Sequence, residues 1–226
     1  MEANDKIDIL ITGVGGQGVV LAGDVIGDVA IAGGYDVKKT DTLGMAQRGG
    51  SVTAHIRIAD QVASPLIQPG EANFMLAMEK LEAVRWADML RPDGTAIINN
   101  FALPPVSSGS GSPAYPDDEK ISEELYKHVD EAIFIEGSSA AEEMGNPKVV
   151  NILMLGTLSM LLPFSPDIWK QVIRRHLPEK IAELNISAFE RGRKEMIRAL
   201  DAAQFLLRQE CQHEHEEGHQ CGGGYG

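Results

Sequence analysis

The sequence predicts an α/β fold: a three-layer α/β/α, Rossmann-like domain with a mostly parallel, mixed sheet and a helical C-terminal extension. Three observations predict it. The apolar run Ile7 to Ile11 ends in Thr12 and a glycine cluster, as a buried strand of a parallel sheet does. From Gln17 to Ala32 apolar residues recur at three-to-four spacing, the pattern of a helix laid on that sheet. Strand-like and helix-like stretches then keep alternating as far as Ile135, and the C-terminal third reads as helix.

Taken in order, Ile7 to Ile11 is the first strand. Val20, Val25, Val29 and Ala32, with Val19, Ala22, Ile26 and Ala30 beside them, mark the apolar face of the first helix, which Gly33-Gly34 ends. Tyr35 to Thr40 reads as a second strand and completes a strand, helix, strand crossover unit. Asp41 to Gly50 is a glycine-bearing loop. Ser51 to Ile58 alternates strictly, with Val52, Ala54, Ile56 and Ile58 on one face and Ser51, Thr53, His55 and Arg57 on the other, which predicts a half-covered strand. Asn73 to Met78 is a further strand, Glu79 to Leu90 a helix, Pro92-Asp93-Gly94 a turn and Thr95 to Asn99 a strand.

Four Pro, four Ser and two Gly between Ala102 and Asp118 predict a surface loop inside the domain. Beyond it, Ile121 to Val129 reads as helix and Ala132 to Ile135 as strand. Val149 to Leu162 is apolar apart from Asn151, Gly156, Thr157 and Ser159. It is too short to cross a bilayer and reads as a buried helix. Ser165-Pro166 is a cap and first-turn pair for a helix carrying Trp169, Val172 and Ile173. Pro178 to about Gln209 is a long amphipathic helix. Residues 1–209 are expected to form one domain and 210–226 a flexible Cys, His and Glu-rich tail.

Composition bounds the function. The chain has 226 residues, 43% of them hydrophobic but only 5% aromatic, so its core is aliphatic. Twenty Lys and Arg against 33 Asp and Glu leave a net charge of −13, which argues against nucleic acid or anionic lipid as a partner. The acidic, polar start, Met1 to Leu10, lacks the pattern of a signal peptide, and the expected location is cytoplasmic. Both cysteines, Cys211 and Cys221, lie in the tail, so no disulfide framework holds the body together.

Gly13-Val14-Gly15-Gly16-Gln17-Gly18 follows a strand and opens a helix. Glycines there permit a tight turn and bring bare amides to a ligand, and the helix N-terminus then favours an anion such as phosphate. The same glycines also serve close packing with no ligand at all, as Gly23 and Gly27 further along do, and the residues leave both readings open. Asp41 stands where a ribose-binding acid would, or is simply a turn residue. His55, His128 and His176 are scattered, with no nucleophile beside them in sequence, so no catalytic residue is assigned; His55 reads as a surface or interface residue. In the tail, Cys211, His213, His215, His219 and Cys221 offer transition-metal ligands, although their spacing fits no standard finger.

ILITGVGGQG from Ile9 to Gly18, together with TLGMAQRGGSVTAHIR from Thr42 to Arg57, resembles the gamma component of the 2-oxoacid:ferredoxin oxidoreductases. Gly44 to Gly50, GMAQRGG, resembles the indolepyruvate enzyme's beta subunit more than the pyruvate or 2-oxoglutarate versions. The likeness extends more weakly to Asn185 to Arg193, NISAFERGR, and covers roughly residues 5 to 200.

The resemblance implies a subunit of an enzyme that oxidatively decarboxylates indolepyruvate and other aryl pyruvates with coenzyme A, giving the acyl-CoA, carbon dioxide and reduced ferredoxin. Thiamine diphosphate, Mg and four-iron four-sulfur clusters are then expected in a large alpha subunit, and none in this chain. In keeping with that division, residues 1–210 contain no thiolate for a cluster. Gly13, Gly15, Gly16, Gln17 and Gly18, with Gln47, Arg48, Gly49 and Gly50, are expected to sit at the carboxyl ends of neighbouring strands. They would dock on the partner and steady the phosphate end of coenzyme A, with Arg48 suited to a bidentate anion contact. Two rival readings are a stand-alone oxidoreductase binding NAD or FAD and a metal-handling protein acting through its tail.

Overall fold

The computed structural model of the chain describes residues 6–43, 50–104 and 115–217, with Leu43 and residues 204–217 described by backbone alone. Six strands form one sheet in the order β2-β3-β1-β4-β5-β6. β1 (Ile7–Val14) is buried along nearly its whole length, because a run that is apolar on both faces belongs at the centre of a sheet covered on both sides. It pairs in parallel with β4 (Ala72–Ala77) and antiparallel with β3 (Ser51–Ala59). β5 (Leu90–Asn99) and β6 (Glu131–Ile135) continue the parallel side. Only β3 runs against its neighbours, so the sheet is mixed but mostly one-directional.

That placement corrects the expected crossover unit. The helix α1 (Val19–Ala32) does carry the chain to β2 (Asp36–Leu43), but β2 lies beyond β3 rather than beside β1. The reason is legible in β2 itself. Asp36, Lys38, Lys39 and Asp41 crowd a strand that suits an edge, where charges discourage further pairing. β3 has the side chains for an interior position and takes it.

The expected open face of β3 is also corrected. Thr53 is 1% and His55 7% exposed, and over His55 residues 60–71 run as an irregular strap. Ile67 buries itself beside Leu10 and Met75, the Ile67 N–H donates to His55 Nδ1 at 3.4 Å, and Arg57 donates to the Leu66 carbonyl at 2.9 Å. Arg57 also forks onto the fully buried Asp8 at 2.9 and 2.8 Å, so the charges at the lower end of the strand are paired internally.

Helices cover the other side. α1, α5 (Val150–Leu158), α6 (Pro166–His176) and α7 (Glu179–Glu217) share one core with Ile9, Ile11, Ile56, Ile58 and Ile97. The strap, α2 (Lys80–Arg85) and α3 (Asp118–Leu125) pack on Leu10, Met75, Ala77, Ala96 and Ile98. These are the three layers. The helix expected over Glu79 to Leu90 is shorter than the pattern suggested: α2 is followed by a tight turn, Ala87–Met89, and Leu90 already pairs with Ala72. Pro92-Asp93-Gly94 is an outward excursion within β5, since pairing resumes at Phe74 and Thr95. α7 extends past Gln209 to Glu217. No helix among the described residues is long and apolar enough to cross a membrane.

The chain leaves β1 through α1 on one face and leaves β4 through α2 on the other. The carboxyl ends of β1 and β4 therefore flank a switch point, the place where an open α/β sheet forms a crevice.

Candidate functional site

The glycine loop lies at that switch point. Gly15 N–H donates to the Gly50 carbonyl at 2.9 Å, which ties the loop to the start of β3. Gly16 and Gly18 have φ of 105° and 81°, values that favour glycine. The Gln17 side chain folds inward: Oε1 accepts from Val14 N–H at 2.7 Å, and Nε2 donates to the Met78 carbonyl at 3.2 Å, bridging the ends of β1 and β4. Gly13 belongs to β1, where an added Cβ would lie 2.9 Å from both Gln17 Oε1 and Met78 Cβ. Gly13 and Gln17 thus build the loop, and the backbone from Gly16 to Gly18 is what faces outward.

Beside it opens a cleft of about 540 Å³, walled by Gly16 to Gly18, Phe101 beyond β5, Ser138 and Glu142 of α4 (Gly137–Glu143), and the residues from Pro147 to Asn151 that lead into α5. Gly18 is the N-cap of α1 and contributes no side-chain cap. Lys148 and Glu142 are exposed on its walls.

Asn99, 1% exposed, fixes the far wall. Its Nδ2 donates to the Met78 carbonyl at 3.0 Å and to Ser138 Oγ at 2.9 Å, and its Oδ1 accepts from Ser138 N–H at 3.0 Å. One row of hydrogen bonds therefore runs from Val14 through Gln17, Met78 and Asn99 to Ser138. Below it the buried Glu79 carboxylate accepts from Glu82 N–H at 2.9 Å, from Leu103 N–H at 3.1 Å and from the Tyr115 hydroxyl. Burial, with the Glu79 carboxylate beside it, raises the Tyr115 phenol above its ordinary range, so it stays a donor.

The expected site residues fare differently. Gly13, Gly15, Gly16, Gln17, Gly18 and Gly50 are brought together, but the two loops do not follow neighbouring strands: β3 separates β2 from β1, and the loops meet because β3 starts at the same edge. Gln47, Arg48 and Gly49 lie outside the described residues. Asp41 is a strand residue rather than a loop residue, with an oxygen 3.0 Å from Lys39 Nζ. Although burial works against it, hydrogen bonds to Asp24 and Asp41 raise the Lys39 ammonium above its ordinary value, and Asp41 is committed to that pair rather than to a ribose.

His55 is buried under the strap, and His176 contacts Asp28 at 2.8 Å on α1. Cys211, His213 and His215 are placed only as backbone on α7, while His219 and Cys221 lie outside the described residues. Asn99, Ser138, Lys148 and Asn151 were not singled out as site residues. Asn151 alone carried a signal, as a polar interruption at the start of an otherwise apolar, buried run.

The pyruvate ferredoxin/flavodoxin oxidoreductase family model matches residues 8–195. The chain is 36% identical over 194 residues to indolepyruvate oxidoreductase subunit IorB of Archaeoglobus fulgidus, covering 85% of this chain and 96% of that protein. It is 29% identical over 195 residues to 2-oxoglutarate synthase subunit KorC of Methanothermobacter marburgensis, covering 83% of this chain and 95% of the relative. In fold it is similar to the keto/oxoacid ferredoxin oxidoreductase gamma subunit of Geobacter sulfurreducens, with a TM-score of 0.66 at 20% identity over 86% of this chain and 98% of that one.

Proposed function

From the premise that this chain belongs to the pyruvate ferredoxin/flavodoxin oxidoreductase family and is a subunit of a 2-oxoacid:ferredoxin oxidoreductase, we propose that its complex acts on indolepyruvate and related aryl pyruvates. The products are the acyl-CoA, carbon dioxide and reduced ferredoxin. Support for the aryl substrate comes from the higher identity to the indolepyruvate subunit than to the 2-oxoglutarate one, 36% against 29%, at nearly full length in both.

In this reading the chain supplies a docking surface and the larger subunit supplies the chemistry. Two cysteines cannot furnish the four thiolates of an iron-sulfur cluster, so the clusters do not fit this chain and no electron passes through it. The observation that carries the docking role is the Gly15 to Gly50 hydrogen bond, which ties the first glycine loop to the last residue of the second glycine stretch at the switch-point edge. That rim meets the thiamine-bearing subunit and steadies the phosphate end of coenzyme A, with Arg48 as the anion contact. Binding energy taken at that remote end orients the thiol without this chain touching the reacting atoms.

Anaerobic copurification tests the assembly: a large thiamine- and cluster-bearing subunit is expected to come with this chain. Arg48→Ala in the reconstituted complex is expected to raise the Michaelis constant for coenzyme A several-fold with assembly intact. Unchanged assembly together with an unchanged constant removes the docking role. The complex is assigned to the cytoplasm. Residues 1–209 form the domain and 210–226 a tail, with Cys211, His213, His215, His219 and Cys221 as a candidate metal cluster. Equal metal content with and without residues 210–226 would remove that cluster.

A further inference from the structure

The helix α7 outruns the body that it packs on. As far as Met196 its buried side, with Ala182, Asn185, Phe189, Gly192 and Met196, repeats at three-to-four spacing, and it is held against α5. One turn later the helix has left the core: Leu200, Asp201, Ala202 and Ala203, which together sweep a full turn, are all exposed. The backbone nevertheless continues as helix to Glu217, about 25 Å beyond Asp201 at 1.5 Å per residue. The family model stops at residue 195, so this extension is a property of the chain rather than of the family.

Its sequence is not that of a helix built to face water on every side. The repeat that packs α7 on α5 goes on without a break through Ala199, Ala203 and Leu206, with Leu200 and Leu207 beside it. Ile197 and Leu200 are 48% and 36% exposed where this stripe emerges from the body. Helices draw most of their stability from packing an apolar face, so the stripe calls for a partner. The small residues Ala199, Ala202 and Ala203 let a second helix come close.

Charge identifies that partner. Residues 189–198 and 208–217 lie at equal distances on either side of Ala203, the middle of the stripe. The first stretch, the root, carries four cations against two carboxylates; the second, the tip, carries one cation against four carboxylates. A second copy laid antiparallel, Ala203 opposite Ala203, sets the acidic tip of each helix beside the basic root of the other and opposes the two helix dipoles. A parallel copy sets like charge against like.

We propose that the end of α7 is a self-association surface on which a second copy of this chain docks antiparallel through the stripe at residues 199–207, with tip against root. This surface does not depend on the docking role of the glycine loop.

Sedimentation of the full chain tests it, with EDTA and a thiol reductant present so that neither metal nor Cys211 and Cys221 links two copies. The expected result is a monomer–dimer equilibrium with a Kd below about 100 μM that weakens as salt is added. Ala203→Glu, at an exposed position, sets two carboxylates together at the dimer axis and is expected to weaken the dimer tenfold or more, with the monomer's unfolding midpoint unchanged. Reversing charge at the tip, with Glu210→Lys and Glu214→Lys, or at the root, with Lys194→Glu and Arg198→Glu, is expected to weaken it several-fold. All four changes in one chain are expected to restore it, because the complementarity is then only inverted. A chain that stays monomeric at about 100 μM, a dimer unmoved by Ala203→Glu, or a tip reversal that leaves affinity intact overturns the proposal. Failure of the four changes together to recover the dimer overturns the antiparallel arrangement.

Discussion

The start and the middle of one short helix, α5, both make close contacts at glycine, with opposite results. At its start, Asn151 meets Gly18 through the tip of a side chain that can rotate, and a cleft remains open beside them. In its middle, the contact is backbone on backbone: a Cβ on Gly192 of α7 would lie 1.8 Å from the Leu153 carbonyl oxygen, and one on Gly156 would lie 2.1 Å from the Phe189 carbonyl oxygen. The second contact seals two helices together, and the first leaves a cleft. A glycine signals close approach, and the opposite wall decides what does the approaching.

The sharpest way to break this comparison is to add one methyl group at each place. Gly192→Ala puts its carbon inside the van der Waals radius of fixed backbone. Neither helix can yield locally, so the loss of stability should be about 3 kcal/mol. Chemical denaturation checks it, and a loss under about 1 kcal/mol would show that the crossing is loose. Gly18→Ala meets the Asn151 side chain rather than fixed backbone, but it forces an alanine to a φ of 81°, and should lose about 1–2 kcal/mol. If the two substitutions lower stability alike, the contrast between the start and the middle of α5 is wrong.

How much of this was legible follows from the same contrast. β1, α1 and α5 could be read directly, because each buries an apolar pattern against a regular neighbour. The role of Gly192 in the NISAFERGR stretch was not legible there, since the backbone it meets is 36 to 39 residues away in sequence, at Gly156 and Leu153. β3 was misread for a related cause. Its alternation is genuine, but the layer over His55 is an irregular strap with no periodicity to announce it. Asn151 was visible only as a blemish in an apolar run, because its meaning depends on Gly18, which the fold brings to it from the first strand-to-helix turn.

Acid separates the strap from both contacts of α5. Burial under residues 60–71, with the Arg57 charge nearby, lowers the His55 pKa below its ordinary 6.5. The unfolded chain therefore takes up a proton at His55 more readily than the folded one. Stability from this source is complete above about pH 6.5, falls as the pH drops through that value, and levels off below the folded pKa. Comparing denaturation at pH 8 and pH 5 should show this loss, and His55→Gln should flatten it. A slope unchanged in His55→Gln would move the proton-sensitive group elsewhere.

The smallest expected effect comes from a third glycine, Gly27 in the middle of α1, with an ordinary backbone and room beside it. A Cβ there would sit 3.8 Å from Val37 Cγ1, which is normal contact. Alanine at that position restricts the unfolded chain and favours helix without strain, so Gly27→Ala should stabilise the protein by about 0.5–1 kcal/mol. Destabilisation by Gly27→Ala would mean that α1 and β2 approach more closely than the structure shows. The ranking of Gly192, Gly18 and Gly27 by what stands opposite each would then fail at its most permissive member.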